Sequence, residues 1–279
     1  MIEFILKFFS ILPLRVNHFI GALIGQIFYI TNNRTKFVVS QNIDICFPEL
    51  NEKQRKILIK KSLIEAGKGL TEISFVWFRS FESNAKQIKN IKGIEYLESN
   101  QATILLAPHM GCWEIVGPAV SLKQPITILY KAPKNKKQKK FLLEKRSTKN
   151  MHLANANAKG VAKLQRALLK NQIIGILPDQ DPGEEGGMLV PFFTQNARTM
   201  TLLVRLARKN NAKVLMTWAK RLPQGKGYEL NFEPIDVLST SGELKDDVAL
   251  MNQAIEAVIK TCPEQYLWSY KRFKGVIRY

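Results

Sequence analysis

The stretch Ala102–Glu114, ATILLAPHMGCWE, decides the fold. Its first part, Ala102–Ala107, is a short apolar run of the kind found in strands that are buried on both faces. Pro108 and Gly111 follow and predict a turn. Helical periodicity then begins at Trp113 and continues to Lys123. A buried strand that leads through a turn into a helix is typical of an α/β sheet.

Strand and helix patterns alternate on both sides of this stretch. Further strands are predicted at Ile126–Tyr130, Ile173–Leu177, Lys213–Ala219 and Tyr228–Phe232. Helices are predicted at Glu52–Gly67 (continuing toward Arg79), Lys136–Lys149, Lys159–Lys170, Met200–Lys209 and Leu244–Thr261. The alternation indicates a mostly parallel sheet flanked by helices on both faces. In such sheets the functional residues lie on loops at the carboxyl ends of the strands.

Composition and charge narrow the class of protein. The chain has 279 residues of which 46% are hydrophobic, which excludes a disordered or collagen-like chain. Its 42 Lys and Arg against 23 Asp and Glu give a net charge of +19, which indicates an anionic partner. We expect no nucleic acid partner, because the chain has no recognised module for it. Three widely spaced cysteines make neither a disulfide framework nor a cysteine zinc site, and fit a reducing compartment.

Residues 1–33 differ in composition from the rest of the chain. They are rich in apolar residues, and Val16–Asn33 contains eighteen residues without a charge, a borderline length for a membrane span. We expect a hydrophobic membrane helix here, either spanning the bilayer or lying in its interface, with Arg34 and Lys36 on the cytoplasmic side. A buried amphipathic helix is the alternative. The remaining residues, 34–279, form one catalytic domain in this interpretation.

His109 and Glu114 are the first candidates for catalysis. In a regular helix, residues five apart lie roughly 140° from each other, so the two side chains meet only if His109 lies in the turn before the helix. A carboxylate bound to one imidazole nitrogen fixes the tautomer and raises the basicity of the other nitrogen, which can then accept a proton from a hydroxyl. The spacing alone leaves a purely structural role open. We expect no metal site, since neither His18 nor His152 has suitable partners.

The hexapeptide HMGCWE at 109–114 resembles the H-x4-D/E motif of the lysophospholipid acyltransferase superfamily. The chain around it is similar to the lipid A biosynthesis lauroyl/myristoyl acyltransferase family. Other similar segments follow in the family's order, namely Val38–Lys56, Gly67–Phe78, Tyr130–Lys131, Arg146, Pro178–Phe193 and Pro263–Lys274. Two positions depart from the family pattern, because Cys112 stands where Asn is common and Lys131 where Arg is common.

The resemblance implies a membrane-associated acyltransferase of lipopolysaccharide biosynthesis. It would transfer a fatty acyl chain from an acyl thioester, on acyl carrier protein or coenzyme A, to a hydroxyl of a lipid A precursor. His109 would deprotonate that hydroxyl and Glu114 would hold His109, with no cofactor, metal or covalent enzyme intermediate. The enzyme would lie at the inner (cytoplasmic) membrane with its catalytic domain on the cytoplasmic face.

Three alternatives to this function stay open. The first is an acyltransferase for another phospholipid or glycolipid. The second is a thioesterase or hydrolase that uses the same two residues with water in place of the hydroxyl. The third is a non-catalytic membrane lipid-binding protein that has kept the fold.

Basic residues are candidates for binding anionic groups. The stretch Lys131–Lys149 contains nine Lys or Arg and one Glu. It is either a solvated helix face or a patch for lipid phosphates or an acidic acyl carrier protein. By their family positions, Lys131 and Arg146 are expected to contact the substrate.

A second set of candidates follows the strand Ile173–Leu177. It consists of Asp179, Gln180 and Asp181, which form either a plain turn or part of a substrate site beside the His109 loop, if the two strands are neighbours. Arg198 and Thr199 are predicted to open the next helix, whose amino end would hold an anion. The apolar run Met188–Phe193 is predicted to be core or a wall for the acyl chain.

Overall fold

The structure is a computed structural model that describes residues 2–98, 100–146 and 149–279. Within these residues the strands are β1 (Ile88–Lys92), β2 (Thr103–Leu106), β3 (Ile126–Tyr130), β4 (Met151–Asn155), β5 (Ile173–Ile176), β6 (Gly187–Phe192), β7 (Gln195–Met200), β8 (Lys213–Arg221) and β9 (Tyr228–Pro234). The α-helices are α1 (Ile2–Ile11), α2 (Leu14–Ile30), α3 (Arg34–Cys46), α4 (Glu52–Phe78), α5 (Phe81–Ala85), α6 (Val116–Ser121), α7 (Lys136–Arg146), α8 (Ala158–Leu168), α9 (Leu202–Asn210) and α10 (Leu244–Thr261).

A seven-stranded sheet forms the centre of the fold, in the order β1-β9-β8-β2-β5-β3-β4. Every neighbouring pair is parallel except β8 and β9. Strand β2, predicted at Ala102–Ala107, lies between β5 and β8. Leu106 at its end pairs with Ile176 and Met216. The predicted α/β fold with a mostly parallel sheet is therefore confirmed.

The core lies on both faces of this sheet, because side chains alternate along each strand. Ile104 and Leu106 of β2 belong to the apolar cluster on one face, together with residues of α8, α9 and α10. Leu105 belongs to the cluster on the other face, under α6. All three side chains are almost completely buried, which explains why this strand is a continuous apolar run rather than an alternating one.

Two helices replace the single N-terminal helix that the composition predicted. Pro13 separates α1 from α2 and lies at the N-cap of α2. Among the described residues, no helix is both long enough and apolar enough to cross a bilayer. The predicted stretch 1–33 begins with Met1, which lies outside the described residues, and the division at residue 33 stays a prediction.

Glycines bring α2 very close to α4. A Cβ atom on Gly25 would lie 2.3 Å from the carbonyl oxygen of Leu63, and one on Gly67 would lie 2.1 Å from that of Gly21. Both distances are far shorter than a non-bonded contact allows, so only glycine fits at these positions. One face of α2 is thereby packed against α4.

Three local predictions differ from the structure. The helix predicted from Trp113 to Lys123 is a single 3-10 turn, Trp113–Ile115, followed by the short α6. The helix predicted over Lys136–Lys149 ends at Arg146 in the described residues, with Ser147 and Thr148 outside them. Arg198 and Thr199 do not open a helix.

Arg198 and Thr199 lie instead in β7, which pairs with β6 as an antiparallel hairpin, and α9 begins only at Leu202. The physical reason is that Ala197 and Thr199 alternate into the core, so pairing with β6 overrides the local helical pattern. The run Met188–Phe193 supplies β6, whose Val190 and Phe192 are fully buried as core.

Candidate active site

The loop that carries His109 follows β2 at its carboxyl end, as the sequence predicted. Gly111 in this loop has φ of 56°, and a Cβ atom there would lie 2.0 Å from the carbonyl oxygen of Ala219. Only glycine meets both the left-handed backbone and the close approach. The next amide, Cys112 N–H, donates to the same Ala219 carbonyl at 2.8 Å. The loop is thus fixed against the end of β8.

His109 binds the carboxylate of Asp179. Its ring Nδ1 lies 2.8 Å from Asp179 Oδ1, and its backbone N–H donates to Asp179 Oδ2 at 2.9 Å. The two residues meet because they follow β2 and β5, which are neighbours in the sheet. A carboxylate accepts a proton but does not donate one when ionised, so this contact assigns the proton to Nδ1 and leaves the lone pair on Nε2.

The ionisation of Asp179 follows from its surroundings. Burial by itself raises the pKa of this carboxyl group, which is 1% exposed. The electrostatic interaction with His109, its two hydrogen bonds to the carboxylate and the charge of Arg272 outweigh burial and hold the pKa below its usual value. Asp179 is therefore an ionised carboxylate at neutral pH and accepts hydrogen bonds from Nδ1–H and the backbone N–H of His109.

The other ring nitrogen of His109 faces a cavity. Gln180 places its side-chain amide nitrogen 3.2 Å from His109 Nε2, so the amide donates to the lone pair. Trp113 lies edge-on to the imidazole, with 5.3 Å between ring centroids. Asp181 donates its backbone N–H to the hydroxyl of Tyr270 at 2.8 Å. Asp179 and Gln180 thus contact His109, and Asp181 lines the same cavity.

Glu114 contacts a different set of groups. Its carboxylate accepts a hydrogen bond from the indole N–H of Trp77 at 3.0 Å and from Nε of Arg146 at 2.9 Å, and Nη2 of Arg146 binds the other oxygen. The structure therefore pairs His109 with Asp179 rather than with the carboxylate that the spacing predicted. The reason is that the guanidinium of Arg146 and the indole of Trp77 already bind the carboxylate oxygens of Glu114. A role for Glu114 in activity stays a prediction.

The basic candidates separate into two groups. Arg146 lies 5.1 Å from the centroid of the Trp77 ring, and both Arg146 and Lys131 line the cavity. Arg198 does not line it. The guanidinium of Arg198 lies 3.9 Å from Asp181 and 4.0 Å from Glu184, on the β6–β7 side of the turn.

The cavity beside His109 has a volume of about 460 Å³, within the usual range for small-molecule sites. Polar and basic residues surround its mouth, and the deeper part is apolar. The deeper part is lined by Val76, Leu105, Val116, Gly117, Ile126, Ile128, Met151 and Gly175. It runs under α6 toward the amino ends of β3 and β4, and would enclose an unbranched apolar chain.

This arrangement combines the parts that acyl transfer requires. His109, with the ionised carboxylate of Asp179 bound to it, can deprotonate a hydroxyl. Arg146 can stabilise negative charge, and the apolar cavity can hold a chain. In residues 2–98, 100–146 and 149–279, no group of three or more His, Cys, Asp or Glu side chains is arranged to hold a metal ion.

Trp77 and Tyr270 belong to the site but had no role assigned from the sequence. Trp77, near the end of α4, binds Glu114, and Tyr270, near the C-terminus, binds the turn after β5. Both lie in segments that carry the family resemblance, but they are more than 30 residues from His109 in sequence. Their indole and hydroxyl groups need polar partners when buried, which is the one general signal that could have pointed to them.

Comparison with known proteins agrees with the geometry of the site. The model of the bacterial lipid A biosynthesis acyltransferase family matches residues 1–275. The lipid A biosynthesis lauroyltransferase of Escherichia coli (strain K12) is 30% identical over 271 residues, 94% of this chain and 87% of that protein. The lipid A biosynthesis palmitoleoyltransferase of the same strain is 28% identical over 271 residues, which are 94% of this chain and 86% of that protein.

A third relative is more distant. The lipid A biosynthesis myristoyltransferase of Escherichia coli (strain K12) is 24% identical over 248 residues, 84% of this chain and 73% of that protein. The match of the family model extends over nearly the whole chain, including the loop with His109 and the turn with Asp179. The chain belongs to the bacterial lipid A biosynthesis acyltransferase family, and the protein is an acyltransferase.

Proposed function

We propose that this acyltransferase transfers a fatty acyl chain from an acyl thioester to a hydroxyl group of a lipid A precursor, with His109 as the general base. The single observation that carries the proposal is the apolar cavity that begins beside His109. A fatty acyl chain in that cavity would have its thioester carbonyl at the mouth, next to Nε2 of His109. The named activities of the relatives support the acceptor class.

The hydrogen bond between Gln180 and His109 marks the place of the acceptor hydroxyl. Nε2 of His109 accepts a proton only when its lone pair is free, so the hydroxyl takes the place of the Gln180 amide. His109 then removes the hydroxyl proton while the oxygen attacks the thioester carbonyl. The C–S bond breaks, the leaving thiolate takes the proton from His109, and the new C–O ester remains on the acceptor. Asp179 stabilises the imidazolium in between.

Arg146 is suited to hold negative charge at the mouth of the cavity. A guanidinium has five N–H donors, and Glu114 accepts from two of them, Nε–H and one on Nη2. The remaining donors can bind the developing oxyanion or a phosphate of the acceptor. In this proposal Glu114 and Trp77 orient Arg146, so Glu114 acts through the cation and not through His109.

Transfer and hydrolysis are distinguished by one assay. The purified full chain is mixed with lauroyl-acyl carrier protein or lauroyl-coenzyme A, with and without a lipid A precursor, and the products are measured by mass spectrometry. We expect one added acyl mass on the acceptor, formed faster than free fatty acid. Free fatty acid at the same rate whether or not the acceptor is present would contradict the proposal.

We also propose that the protein works at the cytoplasmic face of the inner membrane, with α2 in the bilayer interface. The face of α2 opposite α4 carries the apolar side chains Val16, Phe19, Leu23, Ile27 and Ile30, which are 42% to 69% exposed. Their spacing of three or four residues forms one stripe along the helix. An exposed apolar stripe on a strongly cationic protein favours an anionic lipid surface.

Replacing Phe19, Leu23 and Ile27 together by Ser tests this interface. Full burial of such side chains is worth about 1.5–3 kcal/mol each, so even partial insertion predicts at least a tenfold loss of binding to vesicles containing phosphatidylglycerol. Vesicle co-sedimentation measures it. A control variant replaces three exposed apolar residues on other elements by Ser, namely Leu169, Leu189 and Val276. Equal retention of both variants would contradict the role of α2.

The basic helix α7 is proposed to attract the anionic partners. Lys137, Lys139 and Lys140 of α7 and Lys134 just before it are exposed. Lys145 lies over the Phe78 ring beside the cavity. This position places a positive field next to the site where a phosphate or an acidic acyl carrier protein would arrive.

Replacing Lys134, Lys137, Lys139 and Lys140 by Gln should raise KM for the anionic partner at low salt and change kcat little. Each cation near an anionic surface is worth on the order of 1 kcal/mol, and screening over about 10 Å at 0.1 M salt removes most of that gain. The matched control removes four exposed charges elsewhere, at Lys53, Lys209, Lys226 and Lys245. The same salt dependence of KM in both variants would show that α7 is an ordinary solvated face.

A further inference from the structure

A buried ion pair lies directly behind the catalytic loop. Arg221 at the end of β8 and Glu72 of α4 have side chains that are 4% and 3% exposed. Nε of Arg221 donates to both carboxylate oxygens of Glu72, at 3.0 and 2.9 Å, and its Nη2 also binds Glu72. The same Nη2 donates to the carbonyl oxygen of Gly111 at 2.9 Å. One guanidinium thus joins a helix to the loop that carries His109.

Two further side chains hold Glu72. Nε2 of His18, from α2, lies 3.0 Å from its carboxylate, and the hydroxyl of Tyr228, from β9, donates to it at 3.1 Å. Burial raises the pKa of Glu72, but Arg221 and the hydrogen bond with His18 outweigh it and lower the pKa to about 2. Glu72 is therefore an ionised anchor that fixes the orientation of Arg221.

The loop is held on its other side by the C-terminal segment. Gly111 N–H donates to the backbone carbonyl of Gln265 at 2.9 Å, and Leu267 N–H donates to that of His109 at 2.9 Å. The side chain of Gln265 also binds both backbone groups of Arg221. Gly111 therefore has its amide fixed by the C-terminal segment and its carbonyl fixed by Arg221.

From these contacts we propose that Arg221 is a positioning residue for the acyl transfer. Its guanidinium fixes the Gly111 carbonyl and, through the turn, the direction in which His109 presents Nε2, while Glu72 and His18 hold the guanidinium in place. The statement about the reaction rests on the proposed function with His109 as base. The loop contacts themselves do not depend on it.

Stability alone is a weak reason for such a pair. Buried ion pairs are often no more stabilising than apolar side chains of similar volume, whereas removal of one partner leaves an uncompensated charge. Arg221 differs from an ordinary structural cation because it also donates a hydrogen bond to Gly111. Gly111 lies in the loop that carries His109, the proposed base. Small misplacements of a catalytic group lower turnover strongly.

The test removes both charges together. Glu65, which also binds Arg221 at 3.3 Å, keeps Lys68 as its partner in the double variant Glu72→Gln/Arg221→Met. No unpaired buried charge therefore remains, but the Gly111 carbonyl loses its donor. We expect kcat to fall roughly 10- to 100-fold at a temperature well below unfolding, with KM within about twofold of the wild type. Hydrogen exchange should become faster at the amides of Gly111, Cys112 and Leu267.

A control removes another ion pair, in which the carboxylate is buried and the guanidinium is partly exposed. Arg208 of α9 binds Asp247 of α10, whose side chain is fully buried, and neither lines the cavity. The double variant Arg208→Met/Asp247→Asn should leave kcat and the exchange of the loop amides at the wild-type level. If the test variant unfolds, Arg221→Lys replaces it, because a lysine keeps the charge but lacks the fork that bridges Glu72 and Gly111.

The outcomes separate the two proposals. A folded test variant with wild-type kcat and wild-type loop exchange would overturn the positioning role of Arg221. A wild-type protein that transfers no acyl chain would overturn the proposed function, and the exchange at Gly111 and Cys112 would still decide whether Arg221 fixes the loop.

Discussion

Replacing His109 by Ala is expected to lower kcat for acyl transfer by about 10²- to 10⁴-fold, which is the usual contribution of a general base. The imidazole is the group whose Nε2 faces the cavity, so its loss removes proton transfer without disturbing the apolar part of the site. The measurement is the initial rate of acyl transfer, with circular dichroism to verify the fold. Turnover near the wild-type level would remove His109 from the mechanism.

The partner of His109 is identified by double-variant cycles. We expect Asp179→Asn to lower kcat about as strongly as His109→Ala, because an amide no longer holds the proton on Nδ1, and the two changes together should cost little more than either alone. Glu114→Gln should instead be non-additive with Arg146→Ala, since these two side chains bind each other. The pairing that the spacing predicted would be restored by the opposite result. In that case the effects on kcat would be non-additive for His109 and Glu114 and additive for His109 and Asp179.

Replacing Gly117 by Val is expected to exclude long acyl chains. A Cβ atom at Gly117 would lie 2.5 Å from Cδ1 of Ile128 and 3.0 Å from Sδ of Met151, and all three residues line the deep part of the cavity. A side chain there must push the neighbouring ends aside and fill the space that the chain would use. A loss of about 1–3 kcal/mol in binding corresponds to a decrease of roughly 10- to 200-fold in kcat/KM for the longest donor.

The measurement is a competition between octanoyl, dodecanoyl and hexadecanoyl donors, read by mass spectrometry of the acylated acceptor. The variant should favour the octanoyl donor over the longer ones relative to the wild type. Ala119→Val is the control on the same helix, because Ala119 does not line the cavity. An unchanged order of donors in Gly117→Val would place the acyl chain elsewhere.

The strands that the sequence predicted correctly are the buried ones. β2, β5 and β3 are nearly continuous apolar runs, since both faces of a central parallel strand are covered. The edge strands β1 and β4 were missed. β1 is mostly exposed and reads IKNIK, and β4 carries an exposed His152. An edge strand takes its conformation from a neighbouring strand, so its own residues carry little signal.

Residue types and their order along the chain also predicted the location of the site. His109 and the acidic turn at Asp179 each follow a buried strand, and the carboxyl ends of parallel strands meet at one edge of the sheet. Their proximity was therefore expected on the condition that β2 and β5 are neighbours, and the strand order confirms that condition.

The sequence by itself thus determined the α/β class, the loop with His109 and the family, because these depend on residue types that are local or in a fixed order. Only the tertiary structure decided which carboxylate binds His109 and which cation binds Glu114. It alone also showed that Arg221, over a hundred residues away, supports Gly111. The physical reason is that hydrogen bonds depend on distances of about 3 Å between side chains from different elements, and strand order and helix packing set those distances.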